Sequence, residues 1–166
     1  MPGQNTFYWK TSYVRRTGTP DGREVVVGSG DYQMKTERFF IADKVDQAAE
    51  LIKKQSEAAF PELRSKSGGF RFYNSYVFVM DAASGVHLVN AAFPENEGKN
   101  LLDLQDANGK VIGREMLAVL ADHDSGWVDY MWPRPGDQPA SQKSSYVRKV
   151  TLGGKTLVVG AGYYLD

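Results

Sequence analysis

Residues 76–90 read YVFVMDAASGVHLVN. A short, nearly continuous apolar run from Tyr76 to Met80 ends in Asp81, Ala83-Ser84-Gly85 supplies a turn, and a second run follows from Val86 to Phe93. Two such runs around a small polar turn predict a β-hairpin, strands 76–81 and 86–93. Upstream, Ser65-Lys66-Ser67-Gly68-Gly69 is a polar loop, and before it the period changes. From about Met34 to Phe60, Ile41, Val45, Ala48, Ala49 and Ile52 fall on one helical stripe, with Lys53, Lys54 and Glu57 outside it. Pro61 bends or ends that helix, or opens a further turn with Glu62-Leu63-Arg64.

Downstream, residues 94–100 form a polar loop, 101–104 a short helical turn, and Asp106-Ala107-Asn108-Gly109 a tight turn. Val111 to Leu120 predicts a second, shorter amphipathic helix. GWVDYMW (126–132) alternates Val128, Tyr130 and Trp132 against Trp127, Asp129 and Met131, as a strand does. A Pro- and Gly-containing loop, 133–142, then leads to two last strands, SSYVRKVTL and KTLVVGAGYY. One long helix, then strand, strand, helix and three strands, predicts an α+β domain. Its expected architecture is a PAS-like antiparallel β-sheet with a long N-terminal helix and a short helix packed on it, the helices on one side. An N-terminal β-hairpin precedes it, from FYWKTSYV (7–14), the turn at Pro20-Asp21-Gly22, and Val25-Val26-Val27.

The chain has 166 residues, enough for one domain without covalent staples. It contains no cysteine, which excludes a disulfide scaffold, a thiolate metal site and a Cys nucleophile. Lys+Arg and Asp+Glu balance at 20 each, so no net field draws it to nucleic acid or anionic membrane. Aromatics make up 12% of residues, which suits a β-containing domain with an aromatic-lined site. No stretch approaches the length of a transmembrane helix, and Met1-Pro2-Gly3-Gln4-Asn5 has no signal-peptide pattern.

The two ends of the chain resemble each other. Lys10-Thr11-Ser12-Tyr13-Val14-Arg15 aligns with Lys143-Ser144-Ser145-Tyr146-Val147-Arg148, and Val26-Val27-Gly28-Ser29-Gly30 with Val158-Val159-Gly160-Ala161-Gly162. Two ordered blocks with Gly-x-Gly in both indicate an internal repeat. Gly28-x-Gly30 after a Val run also resembles a dinucleotide-binding turn, but Gln33 stands where the third glycine is required. Close packing or a sharp strand exit is the better account of these glycines.

The run from Tyr76 through Leu117, followed by GWVDYMWPRP, KSSYVRKV and VVGAGYYLD, resembles a Cache domain of the single, type 2 kind. The resemblance covers roughly residues 40–166. It implies an extracytoplasmic, periplasmic sensing module of bacterial signal transduction or chemotaxis, with a PAS-like fold and no enzymatic activity. It further implies a small carboxylate as ligand and a homodimer through the long helix or the N-terminal hairpin. The division expected is a hairpin at 1–35 resembling the end of a preceding Cache repeat, and a sensor domain at 36–166. The chain is then cut from, or descended from, a tandem-Cache protein.

For such a ligand, Tyr130 and Trp132 offer apolar walls with one polar handle each. Lys143, Tyr146 and Arg71 supply charge or donors, Arg71 as a planar fork and Lys143 as a point charge. Tyr73 lies beside Arg71, and His87 occupies a position from which Cache strands reach the pocket. The expected ligand-binding set is therefore Arg71, Tyr73, His87, Tyr130, Trp132, Lys143 and Tyr146, with no cofactor. Two histidines without cysteine make a protein-held metal improbable. Two alternatives stay open: a structural or dimerisation domain without ligand, and a hydrolase using His123 or His87. Against the second, no Gly-x-Ser-x-Gly elbow or nucleophile-plus-base spacing is present.

Overall fold

A computed structural model describes residues 10–32 and 38–165. The first residues of the expected N-terminal strand, 7–9, and the expected start of the long helix, 34–37, lie outside the described residues. The chain divides into two units, residues 1–37 and 38–166.

The first unit is an antiparallel hairpin of β1 (Lys10–Gly18) and β2 (Glu24–Tyr32), a two-stranded sheet of its own. Its turn closes through Thr19 N–H donating to the Arg23 carbonyl at 2.8 Å. Gly22, at φ 83°, takes the left-handed conformation that glycine tolerates best.

The second unit begins with α1 (Arg38–Gln55), a 3-10 turn (Ser56–Ala59) and α2 (Phe60–Arg64), with Pro61 in the first turn of α2. There Pro61 lacks only a donor that helix geometry leaves unused. Six strands follow: β3 (Arg71–Phe72), β4 (Ser75–Asp81), β5 (His87–Asn90), β6 (Ser125–Pro133), β7 (Ala140–Leu152) and β8 (Lys155–Tyr164). Between β5 and β6 lies α3 (Ile112–Asp122). All described pairings are antiparallel, in the order β3-β4-β8-β7-β6 with β5 also on β4. The α+β, PAS-like class expected from the chain is what forms.

One detail differs: the helices cover opposite faces. Ile41, Val45, Ala48 and Ile52 of α1 pack on Val77, Val79, Val159 and Ala161. Ile112, Met116 and Leu120 of α3 pack on Phe78, Met80, Val128, Val147 and Val158. The reason lies in β4, buried at every position from Ser75 to Asp81. A strand apolar on both faces needs a layer on each, and one-sided cover would leave Phe78 and Met80 in water.

Candidate functional site

Between the sheet and α3, on the side away from α1, lies a narrow cavity with about 10 Å³ of free space. Tyr76 and Phe78 of β4, His87 and Asn90 of β5, Tyr130 and Trp132 of β6, and Lys143 of β7 line the sheet side. Leu101, Ile112 and Met116 close the other. Strand alternation makes this set: Tyr130 pairs with Lys143, Phe78 pairs with Asn90, and their side chains share one face. Phe93 meets Tyr76 edge to face at 5.5 Å and Trp132 at 6.2 Å, walling one flank.

Lys143 is the unusual residue. It is 1% exposed, and among the described residues no carboxylate forms an ion pair with it. Its Nζ lies 3.9 Å from the centroid of the Tyr76 ring, 5.5 Å from Tyr164 and 6.0 Å from both Phe78 and Tyr130. Ring faces attract the ammonium, yet burial lowers its pKa from the ordinary value to about 7. Gly162 makes the position available: a Cβ there would stand 2.7 Å from Lys143 Cε. Gly160 clears the neighbouring space, where a Cβ would lie 2.7 Å from Phe78 Cε2. The Gly-x-Gly of β8 is thus a packing device beneath a buried lysine and a phenyl ring.

Other polar groups around the cavity divide into satisfied and unsatisfied. Tyr130 Oη and Ser145 Oγ share a hydrogen bond of 2.9 Å, and Tyr164 Oη donates to the Pro133 carbonyl at 2.6 Å. Asn90 Oδ1 accepts from the backbone N–H groups of Ala92 and Phe93, which turns the chain out of β5. By contrast, both ring nitrogens of His87 and Nε1 of Trp132 are buried without a hydrogen-bond partner. Burial depresses the His87 pKa to about 4, against a small opposing effect from Glu97, so the ring is neutral at pH 7. Burial first, then the neighbouring phenols, raises Tyr76 well above the usual tyrosine range and keeps its Oη protonated. Buried polar groups without partners cost free energy, and this cavity holds several.

The expected ligand set separates. His87, Tyr130, Trp132 and Lys143 converge on the cavity. Tyr146 does not reach it, because it lies three residues from Lys143 on the same strand and alternation sends it to the α1 face. There it packs on Trp127 at 5.3 Å and donates to Ser125 Oγ at 2.7 Å. Arg71 lies on β3 with Nη1 donating to the Ala91 carbonyl at 3.5 Å, and Tyr73 is exposed in the turn after it. Neither lines the cavity. Tyr76 and Phe78 were absent from the expected set, although the alternation of 76–80 already put them on one face. Asn90, Leu101 and Met116 carried no comparable signal, since only the packing of α3 and the 91–111 segment brings them in.

Comparison with known proteins agrees with this architecture. A family model for the Cache domain (dCache_2) matches residues 41–166. The methyl-accepting chemotaxis protein McpP of Pseudomonas putida is 28% identical over 94 residues, 57% of this chain and 17% of the relative. The chain therefore spans about a sixth of the length of that curated protein. A solved periplasmic sensor domain of a chemotaxis protein is 27% identical, with TM-score 0.68 over 78% of this chain and 95% of that one. A methyl-accepting chemotaxis protein of Vibrio parahaemolyticus shares the fold at 24% identity and TM-score 0.65, over 78% of this chain and 88% of that one. The domain is thus of an extracytoplasmic sensing kind, and its relatives are sensors rather than enzymes. The chain belongs to the Cache domain family.

Proposed function

We propose that this domain senses a small carboxylate, bound in the cavity with one oxygen on the Lys143 ammonium. The observation that carries the reading is a fully buried lysine without an acidic partner among the described residues. A carboxylate supplies the countercharge, Trp132 Nε1 and a His87 N–H supply further donors, and Ile112 and Met116 face a short alkyl tail. A solved Cache chemosensory domain studied for carboxylic acid recognition shares the fold at 24% identity and TM-score 0.66, over 77% of this chain and 92% of that one. Calorimetric titration with acetate, propionate and lactate tests the reading, with propylamine as the control. Binding of an acid that Lys143→Met abolishes supports it; response to the amine alone, or acid binding that survives Lys143→Met, sinks it.

Signal transfer follows the tie between β5 and α2. Glu97 accepts from Asn90 N–H at 2.9 Å and from Arg64 Nε at 2.9 Å, while Arg64 Nη2 donates to the Leu88 carbonyl at 2.7 Å. A ligand that shifts His87 or Asn90 pulls on α2, and through it on α1. We also propose that residues 1–35 are the closing hairpin of a preceding Cache repeat, and that the protein self-associates through α1 or this hairpin. Light scattering on the intact chain tests the last point; a monomer at all concentrations sinks it.

A further inference from the structure

The hairpin β1–β2 repeats the pairing of β7–β8 as well as its residues. Lys10 stands opposite Tyr32, Ser12 opposite Gly30 and Val14 opposite Gly28. Lys143 stands opposite Tyr164, Ser145 opposite Gly162 and Val147 opposite Gly160. The only offset is one extra residue in the first turn.

Identity concentrates on one face. Across the paired strands, ten positions share the side of the sheet that bears Lys143; Arg16, Gly18 and Glu24 differ from Lys149, Thr151 and Thr156, and the other seven are identical. They pair Lys10, Ser12, Val14, Val26, Gly28, Gly30 and Tyr32 with Lys143, Ser145, Val147, Val158, Gly160, Gly162 and Tyr164. On the opposite side five of eight differ: Thr11 for Ser144, Thr17 for Val150, Val25 for Leu157, Ser29 for Ala161 and Asp31 for Tyr163. A hairpin kept only for packing needs no lysine at the register position of a buried one. Nor does it need two glycines, which weaken a strand unless something large lies over them. Val14, Val26 and Val27 are 62%, 68% and 57% exposed, whereas Val147, Val158 and Val159 are 0% exposed. What covers the latter is β4, β6 and the two helix layers.

We propose that residues 10–32 are the lysine-bearing wall of a second cavity for a small carboxylate. That cavity is completed when the hairpin sits in the sheet of another Cache unit, between strands equivalent to β4 and β6. The inference rests on the Lys143 reading and extends it, with Lys10 in the register position of Lys143.

A tandem protein tests it, with residues 38–142 placed ahead of the chain from Lys10, so that Gln142 runs into Lys10 as it runs into Lys143. Calorimetry with acetate should give two equivalents per tandem chain, one removed by Lys10→Met and the other by Lys143→Met. A folded tandem that takes up one equivalent, unchanged by Lys10→Met, overturns the inference. Should the tandem not fold, Ser144→Thr, Ala161→Ser and Tyr163→Asp together give β7 and β8 the hairpin's residues throughout 143–148 and 158–164, behind the existing site. Acetate binding retained within about tenfold then supports the proposal, and failure of that variant to fold or bind overturns it. Absence of acetate uptake by the unmodified chain overturns the carboxylate reading, and this inference with it; uptake there but not at the transplanted wall overturns this inference alone.

Discussion

Replacing Lys143 by methionine should stabilise the ligand-free protein while destroying its response to acids. Methionine keeps the unbranched apolar stem of the lysine and removes the buried ammonium group. Lowering a lysine from its ordinary pKa of 10.5 to about 7 corresponds to about 5 kcal/mol of penalty on the charged form. The sign follows from proton counts: between about pH 7 and 10.5 the unfolded chain binds the Lys143 proton and the folded one has released it. Wild-type stability therefore rises with pH across that window. Chemical and thermal unfolding at pH 6 should find Lys143→Met more stable by about 5 kcal/mol, roughly 15 °C in Tm. The difference should shrink steadily toward pH 9.5. A variant less stable than wild type at pH 6, or a difference that does not change with pH, would refute the claim that Lys143 is held charged at a cost for a guest.

Acid affinity should fall as pH rises above about 7, approaching tenfold per unit, because the anchor loses its proton; titration of the acid against pH checks this. Acidification from pH 6.5 to 4 should cost about 3 kcal/mol through His87, whose folded-state pKa of about 4 makes the unfolded chain the better proton acceptor. His87→Phe should flatten that part of the stability profile, and an unchanged profile would count against burial of a neutral imidazole. Gly162→Ala should weaken acid binding at least tenfold and lower stability, since a methyl there meets Ser145 Oγ and stands 2.7 Å from both Lys143 Cε and the Ser144 carbonyl; calorimetry and thermal unfolding read the two effects. Tyr130→Phe should cost about 1 kcal/mol by removing the bond to Ser145, measured by urea unfolding.

Much of the molecule was legible along the chain. The helical stripe from Ile41 to Ile52, the strand pattern of 76–90 and the alternation of 126–132 are local facts that fix type and order of elements. The terminal repeat is local too, since two hairpins with the same residues at the same spacing adopt the same register. Alternation also separates Lys143 from Tyr146 without any coordinates, because neighbours three apart on a strand point to opposite sides. What the chain order left open was which face each helix covers. Two apolar faces demand two layers, but nothing local assigns α1 to Val77 and Val79 and α3 to Phe78 and Met80. The burial of Lys143 was equally hidden. A lysine on a strand is ordinarily a solvated charge, and only closure of α3 and residues 91–111 over the sheet turns this one into a buried cation. Periodicity is a property of neighbours in sequence, whereas desolvation depends on what distant segments bring together, so the elements could be read from the sequence and the site only in part.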